Sequence, residues 1–292
     1  MKIAKILVPV DFSEFSEKAV AYALYLAEKY AAHITLLHAI VLHYEDIEEA
    51  QKFKEYEKLV EIQEKHTLQQ FQKHNQQADR QGISIDSKIL RGISAADALL
   101  EFINGSDYDL VIMGTHGRTG IKKWLYGSVT EKVVQHSTVP VLTIHSAWEK
   151  LTIEKILVPV DFSEYSKKAV EAALDFAKQF NARMVFLHVI AQEVHPAYYA
   201  TSYDSLFIMD PHLQERSIKN LKEFTGGEIK SAEYFTREGR AYKEIVEYAK
   251  ENQCDLILMA TRGLTGLEHL LIGSNTERVV RLAHCPVLTL ER

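Results

Sequence analysis

The chain has 292 residues, of which 47% are hydrophobic and 25% are charged. This mixture is typical of a folded globular protein, and the length suits two α/β domains better than one. The composition excludes a mainly disordered or fibrous chain. The formal net charge of −6 gives no sign of a nucleic-acid-binding surface, so we predict no nucleic-acid partner.

Cysteine content and hydropathy favour a cytoplasmic protein. Only two cysteines occur, Cys254 and Cys285, and such low cysteine usage is typical of the cytosol. They precede strands four and five of the second half, and we interpret them as buried thiols. The histidines have no CxxC or HxxxH spacing, so no metal site is predicted. No apolar stretch approaches the roughly eighteen residues of a membrane helix, and the apolar run near the N-terminus is too short for a secretory signal. We therefore predict a cytoplasmic location and no membrane span.

A long internal repeat organises the chain. The segment from Lys5 to Glu14 (KILVPVDFSE) recurs letter for letter from Lys155 to Glu164, at an offset of 150 residues. This offset is much longer than the period of any solenoid repeat, and it indicates a duplicated domain. We predict one domain over residues 1–148 and a second over residues 149–292.

Within the first half, short β-branched apolar runs alternate with segments of helical spacing. The predicted strands are Ile6–Val10, His33–Ile40, Ile83–Leu90, Leu110–Met113 and Val139–Ile144. The predicted helices lie around Ala19–Ala27, 45–81, Ala95–Ile103 and Ser128–His136. Buried strands separated by helices predict an α/β fold with two tandem, doubly wound, parallel five-stranded sheets. In such sheets, ligands bind beyond the carboxyl ends of the strands.

The two halves differ most in their middle segments. Residues 45–81 are rich in Glu, Gln and Lys and predict one long amphipathic helix on the sheet, with a partner-binding arm as the alternative. The matching residues 191–211 carry several aromatic side chains. They predict an irregular loop over a core edge, with a lid or an interface as the alternative.

Glycines and polar residues gather where strands one and four of the first half end. Strand one ends in the segment Pro9-Val10-Asp11, and strand four runs into Gly114-Thr115-His116-Gly117. Gly127-Ser128 then begins a helix, whose free N–H groups and positive dipole end suit phosphates. Asp11 is placed to accept hydrogen bonds from ribose hydroxyls. The residues between these motifs carry positive charge for a phosphate tail, from Arg118, Lys122 and Lys123.

Helix capping offers a simpler interpretation of the same residues. Ser128-x-x-Glu131 and Ser274-x-x-Glu277 have the spacing of capping boxes, and Asp11 with Glu14 has that of an N-cap pair. Capping does not explain the two glycines and the basic residues at one sheet edge. Neither a P-loop nor a dinucleotide fingerprint is present.

The KILVPVDFS segment at the head of each half and the Gly114-x2-Gly117-x9-Gly127-Ser128 pattern resemble the universal stress protein family in its tandem form. The resemblance covers nearly the whole chain apart from the middle segments. It implies an adenine nucleotide α-hydrolase-like fold with strand order 3-2-1-4-5 and a role in the stress response. It also implies ATP as ligand, with or without Mg²⁺, and pairing through the last strands, which here could join the two halves of one chain. A homodimer of the tandem chain is a further expectation.

The resemblance further implies which residues bind the nucleotide. In the first half these are Pro9, Asp11, Ala39, Gly114, His116, Gly117, Arg118, Gly127, Ser128, Val129 and Thr130. In the second half they are Asp161, Val189, Arg262, Gly263, Gly273, Ser274, Asn275 and Thr276. The aspartates would contact ribose, the backbone of Ala39 or Val189 would meet adenine, and the residues that begin the last helix would bind phosphates.

The second half departs from the family pattern at Ala260, where the pattern has glycine. A methyl group there is harmless if φ is negative and obstructive if the backbone is left-handed or lies against the ligand. The basic residues of the first half are also replaced, by Leu264, Glu268 and His269. The sequence therefore predicts that the first site binds ATP more tightly than the second.

Three functions are compatible with these residues. The leading hypothesis is a nucleotide-binding protein that switches its conformation or partners, without being a dedicated catalyst. His116 is the only obvious candidate for phosphate chemistry, so slow ATP hydrolysis is the enzymatic alternative. The third is a nucleotide-free scaffold that binds a partner or an apolar ligand through residues 191–211.

Overall fold

The computed structural model describes residues 1–42, 50–115, 127–145, 148–191, 206–227, 229–263 and 272–290. Contacts among Cα atoms divide the chain into two compact units, Lys2–Leu151 and Thr152–Arg292. Each unit carries one copy of the sequence repeat, so the duplication is also a division into structural domains.

The first half contains five strands and four helices among its described residues. These are β1 (Lys5–Pro9), α1 (Glu14–Tyr30), β2 (His33–Val41), α2 (Ala50–Gln81), β3 (Ile85–Gly92), α3 (Ala95–Asn104), β4 (Leu110–Gly114), α4 (Ser128–His136) and β5 (Val141–Ile144). The strand order is β3-β2-β1-β4-β5, and all neighbours are parallel. The predicted fold is confirmed, and the predicted strand ends differ from the observed ones by at most two residues.

The second half repeats this arrangement. Its elements are β6 (Lys155–Pro159), α5 (Glu164–Phe180), β7 (Arg183–Ala191), α6 (Leu206–Met209), α7 (Leu213–Phe224), β8 (Ala232–Gly239), α8 (Ala241–Glu251), β9 (Leu256–Ala260), α9 (Ser274–Leu282) and β10 (Val287–Leu290). The strand order is β8-β7-β6-β9-β10, again parallel. The loop predicted over residues 191–211 includes a short helix, α6, while residues 192–205 lie outside the described part.

The central strands form the core of each half because both of their faces are covered by helices. Ile6 and Leu7 of β1 have no exposed surface, and neither have Ile156 and Leu157 of β6. This burial explains why the strands consist of uninterrupted apolar residues rather than alternating ones. Among the described residues, no helix combines the length and the hydropathy needed to cross a membrane.

A carboxylate at the start of the fourth strand holds the start of the first strand in each half. Asp255 Oδ2 accepts hydrogen bonds from the backbone N–H groups of Glu154 and Lys155, at 2.8 and 2.9 Å. Asp109 makes the equivalent bonds at the start of β1, at 2.7 and 2.9 Å. Only 2% of Asp255 is exposed, whereas Asp109 is half-buried.

The difference in burial predicts unequal effects of the same substitution. We expect Asp255→Ala to lower the free energy of unfolding by about 2–3 kcal/mol, because two strand N–H groups lose a charged acceptor away from water. Asp109→Ala should cost less, since water can replace its carboxylate. Urea unfolding followed by circular dichroism measures both. Equal losses would show that burial at Asp255 is unimportant.

Both cysteines are buried free thiols in the second half. Burial raises the pKa of Cys254 to about 11, and it raises the pKa of Cys285 as well. Since the thiolate is the reactive form, both side chains are poor nucleophiles at neutral pH. The structure therefore agrees with their interpretation as buried thiols.

A half-buried histidine contributes to the pH dependence of stability. Burial, with a smaller contribution from the charge of Lys250, holds the pKa of His284 below its ordinary value of 6.5. The unfolded chain then binds this proton at a higher pH than the folded chain, so stability falls as pH drops below about 6.5. We expect His284→Gln to lose less stability than the wild type between about pH 7 and pH 5. Urea unfolding at a series of pH values measures the free energy of unfolding of both proteins. An equal loss of this free energy between about pH 7 and pH 5 in the two proteins would refute the prediction.

Candidate functional site

Each half has a cavity beyond the carboxyl ends of its parallel strands. Its volume is about 150 Å³ in the first half and about 430 Å³ in the second. The predicted residues that line the first cavity are Pro9, Asp11, Ala39, Gly114, Gly127, Ser128, Val129 and Thr130. Those that line the second are Asp161, Val189, Arg262, Gly263, Gly273, Ser274, Asn275 and Thr276. The predicted residues His116, Gly117 and Arg118 lie outside the described residues, as does the rest of 116–126.

The aspartate at the end of the first strand supports the cap of the following helix. Asp11 Oδ1 accepts hydrogen bonds from the backbone N and the Oγ of Ser13, at 3.1 and 2.6 Å. Ser13, not Asp11, is the N-cap of α1, and its hydroxyl accepts from the backbone N of Ser16. The capping interpretation of Asp11 is therefore wrong in detail, because its carboxylate orients the capping serine.

The aspartate of the second half is held in the same way. Asp161 Oδ1 accepts from the backbone N and Oγ of Ser163, at 3.0 and 2.6 Å, and also from Ser166 Oγ at 2.5 Å. Three donors on one carboxylate oxygen fix the side chain in a single orientation. The other oxygen, Oδ2, is directed towards Gly263 at the cavity wall.

The second strand extends past the end of the first and leaves backbone groups facing the cavity. His33 N donates to Ala4 O, and Leu37 O accepts from Val10 N, each at 2.8 Å, so the odd-numbered residues of β2 face β1. Because this direction alternates along a strand, Ala39 also faces that side, where β1 has already ended at Pro9. The N–H and C=O of Ala39 therefore border the cavity. Val189 is the equivalent residue of β7.

The last helix of each half begins at the cavity without a side-chain cap. The N-caps of α4 and α9 are Gly127 and Gly273, and neither has a side-chain hydrogen bond at the cap. The predicted capping boxes are therefore wrong, since Ser128 and Ser274 are the first helical residues. The first N–H groups of a helix have no partner within it. Because residues 128–130 and 274–276 line the two cavities, these N–H groups are donors at the cavity wall.

A buried threonine holds each of these helix starts in place. Thr130 Oγ1 donates to Gly114 O at 2.8 Å, and Thr276 Oγ1 donates to Ala260 O at 3.0 Å. The N–H of Gly127 donates to Thr115 O at 2.9 Å, which joins the helix start to the end of β4. The threonine hydroxyls are thus used within the protein, so these residues offer their backbone groups to the cavity.

The requirement for glycine differs between positions. A Cβ atom at Gly114 would lie 2.9 Å from the backbone of Phe15 in α1, so glycine allows this helix to approach the strand. Ala260, the equivalent residue, is not among the residues with positive φ, so its backbone does not require glycine. At Gly263, a Cβ atom would lie 2.3 Å from Asp161 Oδ2.

A histidine and a phenylalanine in each cavity region were not predicted from the sequence. His38 Nδ1 lies 2.7 Å from Val10 O and His188 Nδ1 lies 2.8 Å from Val160 O. Because a carbonyl oxygen only accepts, the Nδ1 atom carries the proton. The sequence did carry one signal for these histidines. β2 and β7 differ at most positions, yet each has a histidine at the same distance from the preceding strand, β1 or β6.

The phenylalanine that follows each site aspartate has a left-handed backbone. Phe12 has φ of 61° and Phe162 has φ of 64°, which is rare for a bulky residue. Their rings contact the imidazoles of His38 and His188, with centroids 5.0 and 4.5 Å apart. Such conformations persist where the surroundings enforce them, and they occur often at functional sites. The sharp turn directs the aspartate towards the cavity.

Comparison with known proteins identifies the family to which this fold belongs. The fold is a duplicated, doubly wound α/β fold with a cavity beyond the carboxyl ends of the strands in each half. The sequence profile of the universal stress protein family matches residues 2–145 and 152–290, so the chain belongs to that family.

Individual relatives agree with this assignment. The chain is 35% identical over 145 residues to the universal stress protein MJ0531 of Methanocaldococcus jannaschii, covering 48% of this chain and 82% of that protein. It is 26% identical to a universal stress protein E homolog of Haemophilus influenzae, covering 70% and 69% of the two chains. A crystal structure of a universal stress protein from Archaeoglobus fulgidus covers 100% of both chains with a TM-score of 0.69 and 24% identity, which supports the fold.

Proposed function

We propose that this protein binds adenine nucleotides, ATP in particular, in the cavities of its two halves. One observation carries the proposal. In each half, an uncapped helix start, an oriented aspartate and an unpaired strand edge border the same cavity. Each of these groups suits a different part of a nucleotide. Helix capping does not explain why all three lie at the same cavity.

The chemistry of each group suggests its role. The N–H and C=O of Ala39 or Val189 match the acceptor N1 and the donor amino group of adenine. The carboxylates of Asp11 and Asp161 suit the ribose hydroxyls. The backbone N–H groups at Ser128–Thr130 and Ser274–Thr276, together with the helix dipole, suit the phosphates.

Other predicted residues complete the proposed sites. Arg262 lines the second cavity and supplies positive charge for phosphates. His116, Gly117 and Arg118 remain proposed members of the first site. Among the described residues no three His, Cys, Asp or Glu side chains converge on a point. Mg²⁺ that accompanies ATP would then take its ligands mainly from phosphate and water oxygens.

Membership of the universal stress protein family supports a role in the stress response. We propose that nucleotide occupancy acts through conformation. ATP would connect the ends of the first, second and fourth strands of one half, and so favour the conformation in which they are correctly spaced. A change of partner contacts, including those of the expected homodimer, would follow from this shift. Sedimentation with and without ATP tests the homodimer.

Calorimetric titration of the purified protein tests nucleotide binding. We expect ATP to bind and GTP to bind at least about tenfold more weakly, because guanine presents O6 as acceptor and N1–H as donor, the reverse of adenine. AMP should bind more weakly than ATP, since it lacks the phosphates that reach the helix start. No heat from ATP, ADP or AMP at millimolar concentration would overturn the proposal.

A further inference from the structure

We infer that one histidine side chain in each half takes the place of a backbone donor in the sheet and so leaves that donor available to a nucleotide. The histidines are His38 of β2 and His188 of β7, and the donors are the N–H groups of Ala39 and Val189. Both histidines are therefore positioning residues, since they act through the neighbouring backbone. Their role rests on the proposed function and deepens it, because it explains how the strand edge is prepared for adenine.

The hydrogen bonds between β6 and β7 indicate which pair of backbone groups should come next. Val160 lies directly beyond the end of β6, and its N–H donates to Leu187 O at 2.8 Å. In a parallel ladder, the C=O of the same residue accepts from the residue two places further along the partner strand. The next bond would therefore join the N–H of Val189 to Val160 O.

The side chain of His188 takes the place of that bond. Its Nδ1 donates to Val160 O at 2.8 Å, and in the described part of the chain no hydrogen bond joins Val189 N to this oxygen. Val160 is only 3% exposed, and a carbonyl group buried to this extent needs a donor. Because the imidazole meets this need, β6 does not use the N–H of Val189.

The first half has the same arrangement. Val10 N–H donates to Leu37 O at 2.8 Å, and Val10 O accepts from His38 Nδ1 at 2.7 Å. Val10 is 5% exposed, so its carbonyl group also needs a donor. The next donor of the ladder would be the N–H of Ala39, and within the described ranges it makes no hydrogen bond to Val10 O. One replacement of a backbone donor thus occurs twice, in two strands that differ at most positions.

The N–H groups that remain available are held in place by the strand on their other side. Val189 is in register with Arg237 of β8, and Ala39 is in register with Leu90 of β3. This pairing continues to the ends of β7 and β2, so both strands keep a regular geometry beyond the ends of β6 and β1. A donor on a paired strand has a fixed direction, which preorganises it for an acceptor in the cavity.

An aromatic contact holds each imidazole in position. The ring of Phe162 lies 4.5 Å from that of His188 between centroids, and it also contacts Phe224 of α7 at 5.4 Å. Phe162 has the left-handed backbone conformation with which the chain leaves β6 and enters α5. The first half has the equivalent ring contacts, between Phe12, His38 and Phe71. The turn thus ends the ladder, and the histidine satisfies the last carbonyl group.

Adenine offers the acceptor that this arrangement lacks. Its N1 atom accepts a hydrogen bond, and its amino group donates one to a backbone C=O. If the N–H of Val189 were bonded to Val160 O, N1 would meet a donor that is already in use. The histidine therefore determines whether the strand edge can recognise adenine, although its own Nδ1 bonds only to the protein.

NMR spectra of the unmodified, nucleotide-free protein test the arrangement directly. At about pH 8, ¹⁵N shifts should show the Nδ1–H tautomer for His188, because a carbonyl oxygen can only accept. The amide of Val189 should exchange with solvent at least about tenfold faster than that of Leu187, which lies within the ladder. The counterparts in the first half should behave alike. The Nε2–H tautomer, or equal exchange of the two amides, would overturn the inference.

Matched replacements of both histidines test their effect on binding. Asparagine carries an amide nitrogen close to the place of Nδ1, whereas glutamine carries it one bond further out. We expect His38→Leu combined with His188→Leu to weaken ATP binding in calorimetry by roughly tenfold, since the carbonyl groups then take the N–H groups of Ala39 and Val189. The asparagine pair should restore most of this loss, and the glutamine pair should not. Equal losses with leucine and asparagine would overturn the inference.

A modified nucleotide separates this role from general support of the site. 1-Deaza-ATP has a C–H group in place of N1 and cannot accept from a backbone N–H. We expect it to bind the wild type roughly tenfold more weakly than ATP, and to bind the leucine variant as well as ATP does, because the N–H is already in use there. Full discrimination between the two nucleotides by the leucine variant would overturn the inference.

Failure of the histidine role is distinguishable from failure of nucleotide binding. ATP binding by a wild-type protein that has Nε2–H tautomers, or an amide of Val189 that exchanges as slowly as the ladder, would contradict only the role of the histidines. The absence of heat with ATP in the wild type would overturn nucleotide binding, and with it this role.

Discussion

Replacement of Gly263 by alanine is expected to weaken ATP binding to the second half by roughly 10- to 100-fold. A methyl group at this position would lie 2.3 Å from Asp161 Oδ2, which is closer than any real contact. The backbone has no need of glycine on conformational grounds, because its φ is not positive. The whole effect should therefore act through the aspartate. Loss of a hydrogen bond to a charged group costs about 1.5–3 kcal/mol, which corresponds to the expected change in affinity.

The carboxylate of Asp161 cannot move away without further losses. Its Oδ1 accepts from Ser163 and from Ser166, and these bonds position the start of α5. Rotation of the side chain to avoid the methyl group breaks some of these bonds. We therefore expect Gly263→Ala to lower the thermal unfolding temperature slightly, in addition to its larger effect on binding.

A double-mutant cycle separates displacement of the aspartate from direct contact with the ligand. Once Asp161→Ala has removed the carboxylate, the added methyl group at residue 263 has nothing to displace. The double variant should then bind ATP as weakly as Asp161→Ala alone, which is the non-additivity expected of groups in contact. A further loss of affinity in the double variant, measured by calorimetry, would mean that the methyl group blocks the nucleotide itself.

The second large effect is expected on stability, at Gly114. Gly114→Ala should lower the free energy of unfolding by about 1–3 kcal/mol, as overpacking of a closely fitted core does. The new Cβ would lie 2.9 Å from the carbonyl carbon, the oxygen and the Cβ of Phe15. Two of these atoms belong to helix backbone, so α1 as a whole must shift. Chain entropy alone predicts the opposite sign, a gain of about 0.4–1 kcal/mol, when glycine is replaced by alanine at an unstrained position.

Ala260→Gly provides the matched control for this prediction. Ala260 occupies the equivalent place in β9 and accommodates its methyl group, with 9% of the residue exposed. Its replacement by glycine should cost about 0.5–1 kcal/mol, because glycine in a strand is entropically unfavourable. Both variants then destabilise the protein, although they exchange the same two residues in opposite directions. Stabilisation by Gly114→Ala in urea unfolding would refute the close approach of α1.

The fold was predictable because it depends on patterns that are local or repeated. The duplicated KILVPVDFSE segment located the two first strands, and the uninterrupted apolar runs are the mark of strands covered on both faces. Residues 128–136 were predicted as a helix and form α4 with the same ends. Such features need no knowledge of distant contacts.

The details of the site were less predictable because they depend on which atoms meet after folding. Asp11 and the Ser128-x-x-Glu131 segment both fit capping patterns, and neither caps its helix with a side chain. His38 and Phe12 carry no recognisable motif, yet they contact each other beside the cavity. Gly114 was predicted to bind the nucleotide, and it does line the cavity, but the close contact that its missing side chain permits is with Phe15.

The duplicated α/β architecture and the set of residues around each cavity follow from the order of amino acids along the chain. Apolar periodicity and repetition are properties of neighbouring residues, and parallel strands bring their carboxyl ends together in any register. The difference between the two cavities does not follow from that order. The same holds for where α2 packs and for which helix pairs with the arginine near the end of β3 or β8, because such long-range contacts exist only once the chain has folded.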